Sequence, residues 1–147
     1  GSVFAVTVPR DESQVRHAAA LATGALTRGF RVMHVENDEA VQQSMAELLK
    51  RWGGDVPVAA SMEQALALKG RWDVVLAGYK LEQGGNGLDL IEAIRDHAHV
   101  FALLTADPDE SVVERAASLG VEVIRKPVAP LFLRTFLARS LYAMVGT

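Results

Sequence analysis

Cysteine is absent from the 147 residues, so neither a disulfide framework nor a thiolate zinc site is available. No apolar run approaches the roughly 20 residues a bilayer-spanning helix needs, and the N-terminus carries no signal-peptide pattern. The chain is therefore expected to be soluble and cytoplasmic, with no direct membrane insertion, although a longer parent could still be membrane-associated. Neither sign of charge dominates: 15 basic residues face 18 acidic ones, the net charge is −3 and the pI is near 5.8, which leaves no basic footprint for nucleic acid. Internal repeats and low-complexity tracts are also missing. What is present is a 50% hydrophobic composition, ample for the core of one domain plus an appendage.

From about Arg31 onward, short apolar runs alternate five times with helix-period segments. Arg31 to Glu36 reads as a first strand, and Asp38 to Trp52 as a helix with Val41, Met45, Leu48, Leu49 and Trp52 on one face, capped by Asp38 and stopped by Gly53-Gly54. Val56 to Ala60 is a second strand, and Ser61 opens the next helix. Trp72 to Ala77 is so evenly apolar that it suits a strand covered on both faces. Gly87 to His97 reads as a third helix, Val100 to Leu104 as a fourth strand, and Glu110 to Leu119 as a helix ended by Gly120. Val121 to Ile124 follows as a fifth strand. The last helix, from about Ala129, should bury Leu133, Phe136, Leu137 and Leu141. This order implies right-handed crossovers and a doubly wound (βα)5 flavodoxin-like α/β domain, a three-layer sandwich around a five-stranded parallel sheet.

In such sheets, reaction centres lie beyond the carboxyl ends of the strands. Those ends carry Glu36-Asn37-Asp38, Gly78-Tyr79-Lys80, Thr105-Ala106 and Lys126-Pro127. Acids, a hydroxyl and a lysine on one edge are what a phosphoryl-accepting carboxylate site requires, the acids to hold Mg2+ and the others to bind phosphoryl oxygens.

RVMHVENDEAV, DVVLAGYKL, ALLTA and VIRKP, in this order, resemble the receiver domain of two-component response regulators from about Arg31 to Val145. The resemblance implies that Thr105 is the phosphoryl-binding hydroxyl, Lys126 the phosphoryl-binding lysine, and Pro127 the proline that follows a cis peptide. It also exposes departures. The acidic pair is Glu36 and Asn37 where the family has two acids, the phosphoacceptor position is Gly78, and the switch-aromatic position is Val123. Glycine offers no nucleophile, which excludes ordinary aspartyl phosphorylation there. Without the central carboxylate, Mg2+ binding should be weak or absent, and no other cofactor is implied.

Each of these residues also has a structural reading. Thr105 can satisfy a neighbouring backbone group, and Asp38 can serve as a helix cap. Lys126 can form an ion pair with Glu36 or Asp38, or keep an anion site. Gly78 can answer a backbone demand, a positive φ or a close approach. Gln83-Gly84-Gly85-Asn86-Gly87 lacks the lysine and serine of a phosphate loop and reads as a flexible loop beside the site. His34 reads as a packed histidine, His97 and His99 as a solvated pair, and Arg115, Arg125 and Arg139 as solvated or interfacial.

The first residues differ. GSVFAVTVPR alternates as a strand and resembles the last strand of a histidine-kinase ATP-binding domain, unless Gly1-Ser2 is an expression scar. Asp11 to Gly29 reads as a helical or flexible linker. The expected organisation is thus a kinase remnant at 1–10, a linker at 11–29 and a receiver at 30–147, the C-terminal part of a hybrid sensor histidine kinase.

The leading functional expectation is a non-catalytic pseudo-receiver acting by contact with a histidine kinase core or a phosphotransfer or output protein. Homodimerisation could use the N-terminal strand or the surface of the fourth helix, fifth strand and fifth helix, including Ala117, Val123, Arg125 and Leu133. A second expectation keeps phosphotransfer, with Asp38 or Glu36 as acceptor or with Gly78 an engineered replacement of aspartate. A third is a flavodoxin-like cofactor binder, since that topology shares the switch point.

Overall fold

The computed structural model describes residues 29–145, excepting the side chains of 142–145, so the proposed N-terminal strand at 1–10 and nearly all of the linker lie outside the described residues. Strand β1 (Phe30–Val35) leads into helix α1 (Glu39–Arg51), capped by Asp38, whose side chain accepts a hydrogen bond from the amide of Val41. Two short strands follow, β2 (Gly54–Asp55) and β3 (Val58–Ala59), and then α2 (Met62–Ala67), capped by Ser61. Strand β4 (Trp72–Gly78) precedes α3 (Gly87–Ala93), and β5 (Ala98–Thr105) precedes α4 (Glu110–Leu119). Strand β6 (Glu122–Arg125) and α5 (Pro130–Val145) complete the domain.

All described pairings between strands are parallel. The order is β2, β1, β4, β5, β6, with β3 beside β1 on the same flank as β2. The expected second strand exists but is split at Val56-Pro57, because proline has no N–H for the ladder. Its carbonyl still contributes, accepting from the amide of His34 at 3.0 Å. The third helix is shorter than its sequence pattern. It ends at Ala93 and tightens into a 3-10 turn over Arg95–His97 before β5. The strand expected at Val121 starts one residue later, since the amide of Val121 bonds the carbonyl of Ala116 and that of Gly120 bonds Ala117. These two bonds close α4 in a Schellman motif, with Gly120 at φ 73°.

Alternation along the strands feeds two apolar layers. On one face Met33, Val35, Val75 and Leu103 meet Ala65, Leu88, Ile91 and Val112 from α2, α3 and α4. On the other, Val32, Val74, Leu76 and Leu104 meet Leu49 of α1, Trp52 at its C-terminal cap, and Leu133, Phe136, Leu137 and Leu141 of α5. The three-layer doubly wound sandwich follows from these two interfaces. Leu133 is 0% exposed, as expected from the stripe of the last helix, so it belongs to the core and not to the docking surface for which the sequence also offered it.

Candidate functional site

Because every strand runs the same way, the ends of β1, β4, β5 and β6 share one edge of the sheet, and the residues just beyond them form the site. Glu36 follows β1. It is 1% exposed, and its amide donates to the carbonyl of Ala59 at 2.9 Å, which aligns the β1 and β3 ends. Its carboxylate is engaged at both oxygens. Oε1 accepts from Lys126 Nζ at 2.7 Å, and Oε2 accepts from the amide of Asp38 at 3.1 Å. Of the partners open to Lys126 in the sequence, the structure thus selects Glu36. Asn37 and Asp38 are exposed, and Asp38 Oδ1 is given to the start of α1.

Gly78 closes β4 directly opposite this carboxylate. Its φ lies outside the left-handed region, and a Cβ added to it would sit 3.5 Å from both Glu36 Oε1 and the carbonyl oxygen of Val35, an ordinary van der Waals contact. Neither a positive φ nor a close approach demands glycine at this position. Gly87 is the contrast: a Cβ there would collide with the carbonyl of Gly78 and lie 2.8 Å from Leu103 Cδ1. Its amide donates to the carbonyl of Tyr79 at 2.8 Å.

Thr105 ends β5, nearly buried, and its carbonyl accepts from the amide of Lys126 at 2.9 Å. The Lys126-Pro127 peptide bond is cis. Val123 lies half-buried in β6, in register with Leu103. The site therefore gathers Glu36, Gly78, Thr105 and Lys126 and leaves Asn37 at its rim.

The segment between β4 and α3, expected to be flexible, is a small hairpin. Lys80 bridges Asn86 antiparallel, the amide of Leu81 bonds the carbonyl of Gly85, and Gln83 and Gly84 at the tip both have positive φ, 64° and 81°. The amide of Glu82 donates to the carbonyl of Ala60, which staples the hairpin to the turn after β3.

Two nearby residues carry more than their sequence context signals. Gln42 Nε2 donates to the carbonyls of Glu36 and Ala59, at 3.1 and 3.0 Å, and so ties α1 to two strand ends. Its place on the inner side of the first turn of α1 is its only trace in the sequence. His34 is packed, as expected, but also perturbed. Its Nδ1 lies 3.3 Å from the carbonyl oxygen of Leu76, so in the neutral ring that nitrogen carries the proton. Nε2 has no hydrogen-bond partner among the described residues. Burial lowers its pKa from 6.5 to about 4, against the opposing pull of Glu36.

Beside the site, α1 and the β6–α5 loop enclose an apolar cleft of about 550 Å³ lined by Val41, Met45, Leu48, Leu104, Pro127 and Val128, among others. Arg115, open to a solvated or interfacial role in the sequence, bonds Asp89 and Glu92 across α3 and α4 at 2.6 and 3.0 Å. Among the described residues no group of three or more His, Asp or Glu side chains is placed to hold a metal ion.

The profile of the response regulator receiver domain matches residues 32–138. The chain belongs to the receiver domain family. This receiver superposes on the signal receiver domain of an HD domain-containing protein from Pseudomonas fluorescens with a TM-score of 0.74 at 24% identity, over 82% of this chain and 100% of the other. The non-phosphorylated HemR receiver domain of Leptospira biflexa matches at 30% identity and TM-score 0.64, covering 80% of this chain and 94% of its own. A cyclic di-GMP phosphodiesterase of Thermotoga maritima is 29% identical over 113 residues, 75% of this receiver but 30% of the relative's length. Receiver domains serve two-component signalling through contacts with kinases or other proteins and are generally non-catalytic. No helix of this receiver, among the described residues, is long and apolar enough to cross a membrane.

Proposed function

We propose that this domain is a pseudo-receiver, a signalling module that is not phosphorylated at the usual position and acts through protein contacts. The observation that carries the reading is Gly78. It stands where the resemblance puts the acceptor aspartate, and the space around it accepts a side chain, so the backbone gives no reason for glycine. Thr105 and Lys126 keep the positions of phosphoryl-binding groups, but the lysine is held by Glu36. Use of Glu36 as a substitute acceptor is disfavoured, because both of its oxygens already accept hydrogen bonds.

The partner class that fits is a histidine kinase core or a phosphotransfer or output protein, with the chain read as the receiver end of a hybrid kinase. Two surfaces suit such contacts. One is the α4–β6–α5 face, without Leu133, which also suits homodimerisation; the other is the apolar cleft beside α1. Intact mass after incubation with Mg2+ and a small-molecule phosphodonor tests the reading. Wild type should remain unmodified, and Gly78→Asp should gain one phosphoryl group. Labelling of wild type would overturn the proposal and direct attention to Asp38 or Glu36.

A further inference from the structure

The described residues leave one apolar groove of this domain open. The cleft between α1 and the β6–α5 loop is walled by Val41, Met45, Leu48, Pro127 and Val128, and Val41 is 36% exposed. Leu131 and Phe132, directly after Pro130 of the cleft wall, are 40% and 47% exposed, so apolar side chains continue from the cleft into the first turn of α5. Apolar surface gathered in this way marks a place that another segment covers.

The chain itself carries a segment of matching length and chemistry. Helix α1 runs back along β1, and the register of Phe30 with Gly54 brings its C-terminal end level with the start of β1. Gly29, which precedes β1, therefore lies at that end, and the cleft runs along the same helix from Leu48 to Ala40. Residues 13–26, which lie outside the described residues, would extend about 21 Å as a helix, against about 20 Å for the 13 residues of α1. At helical spacing Val15, Ala18, Ala19, Ala22 and Leu26 fall on one side, with Arg16, His17 and Gly24 away from it.

We propose that residues 13–26 dock in this cleft as a helix alongside α1, with Val15 at the Val41 end and Leu26 towards Leu48, so that the chain covers its own partner surface. Thr27, Arg28 and Gly29 make the turn into β1. Tethering favours this occupant over a second copy, because a short connection presents the segment at about millimolar effective concentration, and a contact too weak to hold a dimer still fills the cleft. A helix this short, with Gly24 inside it, is marginal in water. The apolar contact is therefore what holds it, and a partner that takes the cleft also dissolves the helix. The proposal goes beyond the pseudo-receiver reading and does not depend on it, since neither the cleft nor the segment includes Gly78.

Because the chain has no cysteine, a nitroxide attached at Gln14→Cys is unique. In the 15N-labelled full chain, comparison before and after reduction by ascorbate should show the amides of Val41, Ser44 and Val128 losing most of their intensity, and those of Arg95 and His99, beside the start of β5, keeping theirs. Val15→Asp combined with Leu26→Asp should restore the lost signals, as should Val41→Glu at its exposed position. Absent or uniform broadening would overturn the proposal. So would broadening that survives the Val15 and Leu26 substitutions, which would indicate a different segment in the cleft. Equal broadening of an untagged 15N chain by a tagged unlabelled one would overturn it in favour of a second copy as the occupant.

Discussion

Acidification should destabilise this domain through one buried ring. His34 sits in β1 at 0% exposure, with Nδ1 directed at the Leu76 carbonyl and no acceptor among the described residues for a proton on Nε2. Its pKa in the fold is about 4 against 6.5 for the free side chain. The unfolded chain therefore binds the extra proton first, and the contribution of neutral His34 is complete above pH 6.5 and lost as pH falls towards 4. At about 1.4 kcal/mol per pH unit, the loss reaches about 3 kcal/mol by pH 4, a large share of the 5–15 kcal/mol typical of a domain. Carboxylates also titrate in this range, so the informative quantity is the difference between wild type and His34→Gln. Urea unfolding followed by the fluorescence of buried Trp52 and Trp72, at pH 7 and pH 4, should show wild type losing about 3 kcal/mol more than the variant. Parallel pH profiles, or an imidazole resonance titrating near 6.5, would refute the reasoning.

Other consequences concern single contacts. Gly78→Ala should change stability by under about 1 kcal/mol because its Cβ finds ordinary contacts, whereas Gly87→Ala should cost more than about 2 kcal/mol through collision with the Gly78 carbonyl; thermal melts of the two side by side decide this. Lys126→Met should destabilise by roughly 3 kcal/mol by leaving Glu36 buried without its cation, and adding Glu36→Gln should restore much of that, a coupling measurable by a double-mutant cycle in urea. Ser61→Ala removes the cap bonded to the Gln64 amide and should cost about 1 kcal/mol in the same assay.

The layers of this fold were legible because its signals are periodic. The even apolarity of β4 and the stripe of α1 each carry their burial in local sequence, and caps such as Asp38, Ser61 and Gly120 mark where helices begin and end. Chemistry at the strand ends was legible as a set, since parallel topology forces those ends together. What escaped depends on contacts distant in sequence. The choice of Glu36 over Asp38 as the partner of Lys126 is decided by a turn that aims one carboxylate inward and the other at a helix start. The glycine-rich run reads as formless until the carbonyl of Ala60, from another loop, accepts a bond from Glu82 and gives the hairpin a wall.

The neighbour relations of β1 also govern how the chain can reach its native state. His34 pairs with Leu76, 42 residues further on, so the first strand cannot gain its inner partner until the third βα unit begins. Contacts of that separation require closure of a long loop before they return any stabilisation, which slows assembly. On a ribosome, the apolar edge of β1 would wait for β4 to emerge, covered first, among the described elements, by α1, the split strand β2–β3 and α2. Mutations that weaken α1 packing, such as Leu49→Ala, should therefore lower the yield of folded protein more than their equilibrium cost suggests, because they act while the sheet is still half built.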